Sequence, residues 1–223
     1  MIATTLFLLM VGVLIPLLAW NSYRYLAVET ESEDTSQHSN ALAIQALVVH
    51  GVVAGLAAVA AASAQLHFIW LSRPTVAAVL VGLLIVVVFT YIAVLEAKRP
   101  LSTRDGVRAK LRSAGLSKPW IAAMLVAAVA EEYAYRGVLF GVLEAHVPSS
   151  AAWVIAAGAF GLGHLSQGAR GAVLATAFAA SMQLLFLVSG ALLVPIVCHL
   201  IYDLAVSFYG RYLTSEGRRG AAA

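Results

Sequence analysis

Glu131-Glu132-Tyr133-Ala134-Tyr135-Arg136 is the stretch that decides the fold, because it sets three charged side chains inside the apolar segment 120–143. An ionisable side chain at the centre of a membrane helix costs roughly 2.5–3.5 kcal/mol on insertion scales, so it persists mainly where it is paired or used. Two further polar clusters interrupt apolar segments in the same way: Phe160-Gly161-Leu162-Gly163-His164 and His199-Leu200-Ile201-Tyr202-Asp203. The three clusters together predict a membrane protein whose ionisable side chains converge on one site.

The composition supports a membrane protein. Of the 223 residues, 61% are hydrophobic and 11% are charged, whereas about a quarter of a soluble domain is charged. About 20 apolar residues cross a bilayer, and only helices are expected there, since a strand edge in lipid would stay unpaired. We therefore predict an all-α, polytopic membrane helical bundle of about seven transmembrane helices, with the catalytic core in the C-terminal four. The candidate spans are residues 2–20, 41–62, 74–97, 120–143, 151–165, 171–188 and 192–209.

The charged segments divide the chain into three parts. Residues 1–119 hold the N-terminal transmembrane helices and a basic loop, residues 120–209 the core, and residues 210–223 a disordered tail. Seven of the fourteen Lys and Arg lie between Lys98 and Lys118. Next to a hydrophobic segment, such charge favours the cytoplasmic face and lipid headgroups over nucleic acid. With seven spans this orientation predicts an external N-terminus and an internal C-terminus.

Three smaller interpretations complete this outline. Residues 21–40 are polar and acidic and predict a solvated loop, whereas residues 103–114 have the spacing of a short interfacial helix. The first apolar segment lacks a basic n-region and is too long for a signal-peptide core, so we interpret it as a retained membrane helix. Cys198, the single cysteine, lies in an apolar run and is interpreted as a packing residue.

The first cluster suggests a division of roles between its two carboxylates. Glu132 and Arg136 are four residues apart, so they share a helix face and can form an ion pair. Glu131 lies about 100° around the helix from Glu132. Burial disfavours the charged form of an unpaired carboxylate, which suits a general base or acid. The alternative is that all three residues form an internal salt-bridge network.

The other two clusters contribute histidines. His164 ends a glycine-rich segment whose small residues allow close helix packing. His199 and Asp203 again have the i, i+4 spacing, so the carboxylate can orient the imidazole. Each signal is weak alone, and together with the first cluster they favour an enzyme.

In order, spacing and membrane placement the clusters resemble the CPBP intramembrane proteases, also called the CAAX protease and bacteriocin-processing or ABI family. Their eukaryotic relatives are the Rce1-type prenyl-protein endopeptidases. The family motifs Glu-Glu-x-x-x-Arg, Phe-x-x-x-His and His-x-x-x-Asn/Asp match residues 131–136, 160–164 and 199–203. The resemblance covers about residues 120–209, and the N-terminal helices match only as generic membrane spans.

The resemblance implies peptide-bond hydrolysis in a polar cavity of the membrane. Glu131 would act as general base on a water that His164 helps to position, and Glu132 with Arg136 would fix the helix. His199 would stabilise the oxyanion of the tetrahedral intermediate. The Rce1-type relatives have Asn where this chain has Asp203, and an ionised carboxylate cannot donate a hydrogen bond. Asp203 is therefore expected to hold His199.

Two questions stay open at this point. In a zinc-dependent version of the reaction, Glu131, His164 and His199 would ligate the metal. His-Glu-x-x-His is absent, so a mechanism without a cofactor is favoured. The non-enzymatic alternatives are a membrane immunity or scaffold protein and a proton-coupled transporter, although the internal repeats typical of transporters are not seen.

The favoured interpretation is an intramembrane endopeptidase in a prokaryotic plasma membrane. Its expected partners are the lipid bilayer and a membrane-anchored or lipidated protein or peptide substrate, with no nucleic acid. Processing of C-terminal sorting signals or of CAAX-like ends is the task that the resemblance suggests. The sequence leaves the oligomeric state open.

Overall fold

The computed structural model describes residues 2–26, 35–97 and 117–220, and these residues form seven helices without a strand. We number them α1 to α7 in chain order. Helix α1 (residues 2–26) joins Ile2–Leu9, a π-helical turn at Met10–Leu14, and Ile15–Leu26. Helix α4 (residues 118–144) joins Lys118–Glu131, a π-helical segment at Glu132–Leu139, and Phe140–Glu144. The others are α2 (Thr35–Ser63), α3 (Val76–Ala97), α5 (Ser149–Gly163), α6 (Gly168–Ser189) and α7 (Leu193–Gly220), with a 3-10 turn at Leu165–Gln167 between α5 and α6.

The predicted all-α polytopic bundle is confirmed. Each of the seven predicted segments falls on one of the seven helices, and α1, α2, α3, α6 and α7 are long and apolar enough to cross a membrane. Helix α4 also has the length but carries three charged residues near its middle. Helix α5 has 15 residues and is about 22 Å long. Since the hydrocarbon core is about 30 Å thick, α5 is too short to cross it alone.

The helix ends differ from the sequence-based expectation. Residues 21–40 were expected to form a loop, but α1 continues to Leu26 and α2 begins at Thr35. Helix α7 likewise continues to Gly220, where a disordered tail from residue 210 was expected. A helix satisfies its own backbone hydrogen bonds, so it can extend beyond the apolar stretch on which the expectation relied. Residues 27–34 and 98–116, with the acidic loop and the interfacial helix predicted there, lie outside the described residues.

Close helix contacts are made at small residues. Helix α2 packs on α4, α3 on α7, and α5 on α6. A Cβ atom added at Gly161 of α5 would lie 2.7 Å from the carbonyl oxygen of Ala172 on α6. One added at Gly82 of α3 would lie 2.7 Å from Sγ of Cys198 on α7. Cys198 is buried in an apolar cluster, which confirms its interpretation as a packing residue.

The two ends of the bundle differ. We call the end at which residues 98–116 join α3 to α4 the basic-loop end; α5 meets α6 there. At the opposite end, the segment between α2 and α3 is tied to the start of α7, because the backbone N–H of Leu192 donates to Ile69 O at 3.1 Å. Phe68 and Trp70 of this segment pack on Tyr133 of α4. This segment therefore packs on the bundle at the end away from the basic loop.

Candidate active site

A cavity of about 340 Å³ lies among helices α2 to α7. It runs from the middle of the bundle, where Glu131 and His199 line it, toward the basic-loop end, where Glu96 of α3 and Trp120 of α4 line it. Most of its walls are apolar or aromatic, and five of its ionisable groups cluster near the middle of the bundle. Such a combination is typical of a ligand pocket in which a few polar groups act on a largely apolar substrate. The ionisable residues at the polar end are His50, Glu131, His164, His199 and Asp203.

Glu132 lies behind the cavity wall and bridges two helices. Its side chain has no exposed surface. One carboxylate oxygen, Oε2, lies 3.2 Å from Nε of Arg136, so the ion pair expected from the sequence is present. The other, Oε1, lies 2.8 Å from Nδ1 of His199 on α7 and accepts its hydrogen bond. Glu132 therefore fixes the orientation of the His199 ring, a role that the sequence had suggested for Asp203.

Arg136 ties α4 to two further helices. Its Nη2 donates to the carbonyl oxygen of Ala179 on α6 at 3.3 Å. Its guanidinium group lies 4.8 Å from the ring centroid of Phe160 on α5, a cation–π distance. Arg136 is 2% exposed, and Glu132 supplies the negative charge that a buried cation requires. The pair thus holds α4, α5 and α6 together behind the cavity.

Glu131 faces the cavity, whereas its neighbour Glu132 does not. Its Oε1 lies 2.9 Å from Nε2 of His50, and its Oε2 lies 3.7 Å from Nε2 of His199. The side chain of Glu131 is 15% exposed. The π-helical segment that begins at Glu132 is a feature often found at functional sites. The different surroundings of the two carboxylates agree with the division of roles inferred from their helical phase.

Asp203 lies on the cavity side of His199 and not behind it. Its Oδ2 is 3.7 Å from Nε2 of His199, which is ion-pair range but too long for a hydrogen bond. Because Nδ1 of His199 is already held by Glu132, Asp203 does not set the orientation of the ring. The i, i+4 spacing allowed the expected contact, but Glu132, 67 residues away in sequence, reaches the buried nitrogen from another helix.

His164 directly follows α5 and lines the cavity. Its Nδ1 donates to the carbonyl oxygen of Phe160 at 2.8 Å, and the two rings stack with centroids 4.5 Å apart. Phe160 also makes a T-shaped ring contact with His199, with centroids 6.3 Å apart. Since Nδ1 of His164 is used by the backbone, Nε2 is the nitrogen left for water or substrate.

His50 on α2 is the cavity residue that sequence reasoning missed. It is 2.9 Å from Glu131, and a lone histidine in the apolar segment 41–62 could have been flagged by the cost of polar groups in membrane. It escaped notice because it has no partner at i, i+4 on its own helix and lies far in sequence from the three clusters.

The zinc alternative would require Glu131, His164 and His199 to converge on one metal ion. Within residues 2–26, 35–97 and 117–220, no three His, Cys, Asp or Glu side chains are arranged to hold one metal ion. We therefore assign no step to a metal.

Fold and site together define an integral membrane protein with a cluster of acids and histidines around a cavity inside its helical bundle. Residues 114–205 match the family model described as type II CAAX prenyl endopeptidase Rce1-like. This segment is similar to the CAAX protease family, which supports the resemblance drawn from the three motifs and indicates a protease. All six residues predicted for the site lie within the matched segment. The comparisons with curated proteins and with solved structures found no match.

Proposed function

We propose that the chain is an intramembrane endopeptidase that hydrolyses a peptide bond in a membrane-anchored or lipidated substrate with water activated by Glu131. The observation that carries the proposal is the short distance, 3.7 Å, between Oε2 of Glu131 and Nε2 of His199 at one cavity. A carboxylate and an imidazole at this separation can act on the same small group, here the scissile carbonyl and its attacking water.

The reaction has two steps. Glu131 accepts a proton from water at Oε2 as the water oxygen adds to the carbonyl carbon. His164, which lines the same cavity, helps to position this water. The C–N bond then breaks, and the proton held by Glu131 passes to the leaving nitrogen, so that Glu131 returns to its starting form.

His199 supports the negative charge that develops on the carbonyl oxygen. With its Nδ1–H given to Glu132, it can donate from Nε2 only as imidazolium. The charge of that form is offset by the carboxylates that surround it. Asp203, 3.7 Å from the same nitrogen, lies where the substrate oxygen would approach, and it contributes charge and not a hydrogen bond.

The cavity supports the substrate class. Its aromatic and aliphatic walls suit an apolar peptide segment or a lipid-modified chain end, and its polar end suits the scissile bond. We propose that the basic-loop end faces the cytoplasm of a prokaryotic cell, as the concentration of Lys and Arg there favours. Substrates would then enter from the cytoplasmic half of the membrane, with C-terminal sorting signals and CAAX-like ends as the two classes to test.

The test uses purified full-length protein in liposomes with two fluorogenic reporters. One carries a single transmembrane segment with a C-terminal extension, and the other is a farnesylated CAAX peptide. Cleavage by the wild type that Glu131→Ala abolishes, and that a chelator leaves unchanged, supports the proposal.

Three results would count against it. No cleavage of either reporter would favour a non-enzymatic scaffold, and cleavage unaffected by Glu131→Ala would exclude the glutamate mechanism. Loss of activity with 1,10-phenanthroline, followed by recovery with zinc, would replace it with the metal-dependent version.

A further inference from the structure

Two ionisable cavity residues among those described, His50 and Glu96, lie outside the segment that matches the protease family, and His50 is the one that contacts Glu131. It sits on α2, which packs on α4, and its side chain is 20% exposed. The family motifs include no residue from this helix, so nothing in them assigns it a role. Its contacts, however, are made with the residue proposed as the general base.

We propose that His50 is a positioning residue that holds the Glu131 carboxylate in its reactive orientation, a role that rests on the proposed peptide hydrolysis. Nε2 of His50 is 2.9 Å from Oε1 of Glu131. The second carboxylate oxygen, Oε2, is thereby turned toward Nε2 of His199. One oxygen of Glu131 is bound, and the other is left to accept the proton of water.

The orientation of the Glu131 carboxylate matters because the last side-chain torsion angle of glutamate has a broad distribution. The last side-chain torsion of glutamate has roughly two-fold symmetry and few steric barriers. Without a partner on Oε1, both oxygens would sample many directions relative to the scissile bond. A general base must lie within hydrogen-bond reach of the proton that it removes, so a fixed carboxylate reacts faster.

The hydrogen bonds of the two His50 ring nitrogens require that His50 and Glu131 share an additional proton. Nδ1 of His50 lies 2.7 Å from the carbonyl oxygen of Ala46, which can only accept, so Nδ1 carries a hydrogen. A bond between Nε2 and a carboxylate oxygen then requires one more proton between His50 and Glu131. During hydrolysis this proton stays in the His50–Glu131 bond, while the proton taken from water moves through Oε2 to the leaving nitrogen.

The geometry also means that the site is completed by α2. Ala46 and His50 are one turn apart on that helix and both line the cavity. The matched segment supplies the acids and two histidines, and α2 supplies the group that orients the base.

Two variants of His50 separate positioning from folding. His50→Phe keeps a ring of similar size and removes both hydrogen bonds, whereas His50→Gln puts an amide N–H near the position of Nε2–H. His146→Phe is the matched control, because His146 is an exposed histidine between α4 and α5. Activity is measured with the reporter that the wild type cleaves, as kcat and KM, together with the thermal unfolding midpoint.

We expect His50→Phe to lower kcat about 10- to 100-fold, the range for a hydrogen bond to a charged group, with KM changed less than about two-fold. His50→Gln should recover most of kcat, and His146→Phe should match the wild type. Added to Glu131→Ala, His50→Phe should cause no further loss, because the two residues act as one unit. Wild-type kcat in His50→Phe, or equal losses of kcat and midpoint in both variants, would overturn the proposal.

A second measurement needs no substrate. In ¹⁵N spectra of the histidine-labelled protein, Glu131→Gln should shift the Nε2 resonance of His50, which is assigned by its absence in His50→Phe. An unshifted resonance would show that the contact is not made and would overturn the proposal. Absence of reporter cleavage together with this shift would count against the proposed protease activity and leave the His50–Glu131 bond established.

Discussion

Glu132 binds His199 through a hydrogen bond of 2.8 Å between Oε1 and Nδ1, while its other oxygen lies 3.2 Å from Nε of Arg136. One buried carboxylate thus orients the imidazole on α7 and neutralises the cation on its own helix. Among the described residues, its neighbour Glu131 contacts neither Arg136 nor Nδ1 of His199. Glu131 faces the cavity instead. Adjacent residues of the same type therefore have different tasks, and neutral isosteres of each should have different effects.

Glu131→Gln and Glu132→Gln test this difference. Glu131→Gln should lower kcat at least about 100-fold, the scale of general-base catalysis, with little change in the unfolding midpoint. Glu132→Gln should lower both, because it leaves the Arg136 guanidinium buried without a counter-charge and weakens the hold on His199. Reporter cleavage and thermal unfolding in detergent provide the two readouts. A Glu132→Gln protein with wild-type stability and activity would refute the bridging role.

Asp203 provides a second test, because it contacts the reactive side of His199 without a hydrogen bond. Asp203→Asn gives a side chain that can donate to an oxyanion, as in the Rce1-type relatives that the third motif resembles. We expect the activity of this variant to stay within about ten-fold of the wild type or to exceed it. The reason is that one oxyanion donor contributes about 100- to 1,000-fold to kcat in other enzymes. Asp203→Leu, which keeps the branching at Cγ and removes all polarity, should lose more. Initial rates of reporter cleavage decide, and the reverse order would mean that the carboxylate itself is required.

How much of this arrangement the sequence could predict depended on how far apart in sequence the interacting residues are. Apolar runs located all seven helices, because the bilayer fixes the length and composition of a span. The i, i+4 rule found Glu132–Arg136, because both residues lie on one helix. The same rule misled for Asp203, whose expected role is filled by Glu132 across 67 residues. His50–Glu131 spans 81 residues, and no local pattern connects them, since only the packing of α2 on α4 brings them together. The helix ends were missed because an apolar run indicates which part of a helix lies in lipid and not where the helix itself ends.

The close approach of α5 and α6 offers a test of the packing that carries His164. A Cβ at Gly161 would lie 2.7 Å from Ala172 O, whereas one at Gly158, a turn earlier, would meet nothing within 4 Å. Gly158→Ala should be neutral or stabilising by up to about 1 kcal/mol from helix propensity. Gly161→Ala should lower the unfolding midpoint and, by displacing the end of α5, reduce activity as well. Equal midpoints for the two alanine variants would contradict the close contact.

The buried pair of Arg136 and Glu132 should behave as a unit in a double-mutant cycle. Arg136→Met leaves the Glu132 carboxylate buried without its cation, so we expect a loss of about 3–5 kcal/mol in the free energy of unfolding. Adding Glu132→Gln removes the stranded charge and should restore part of that stability. Activity should stay low in the double variant, because the charged partner of His199 Nδ1 is gone. Stability is measured by denaturant titration in mixed micelles. Arg136→Lys serves as a control, because it keeps the charge but cannot make all three contacts of the arginine, to Glu132, Ala179 and Phe160. If the losses of unfolding free energy in the two single variants simply add, the residues do not interact as the 3.2 Å contact indicates. The support of α4 behind the cavity must then come from apolar packing alone.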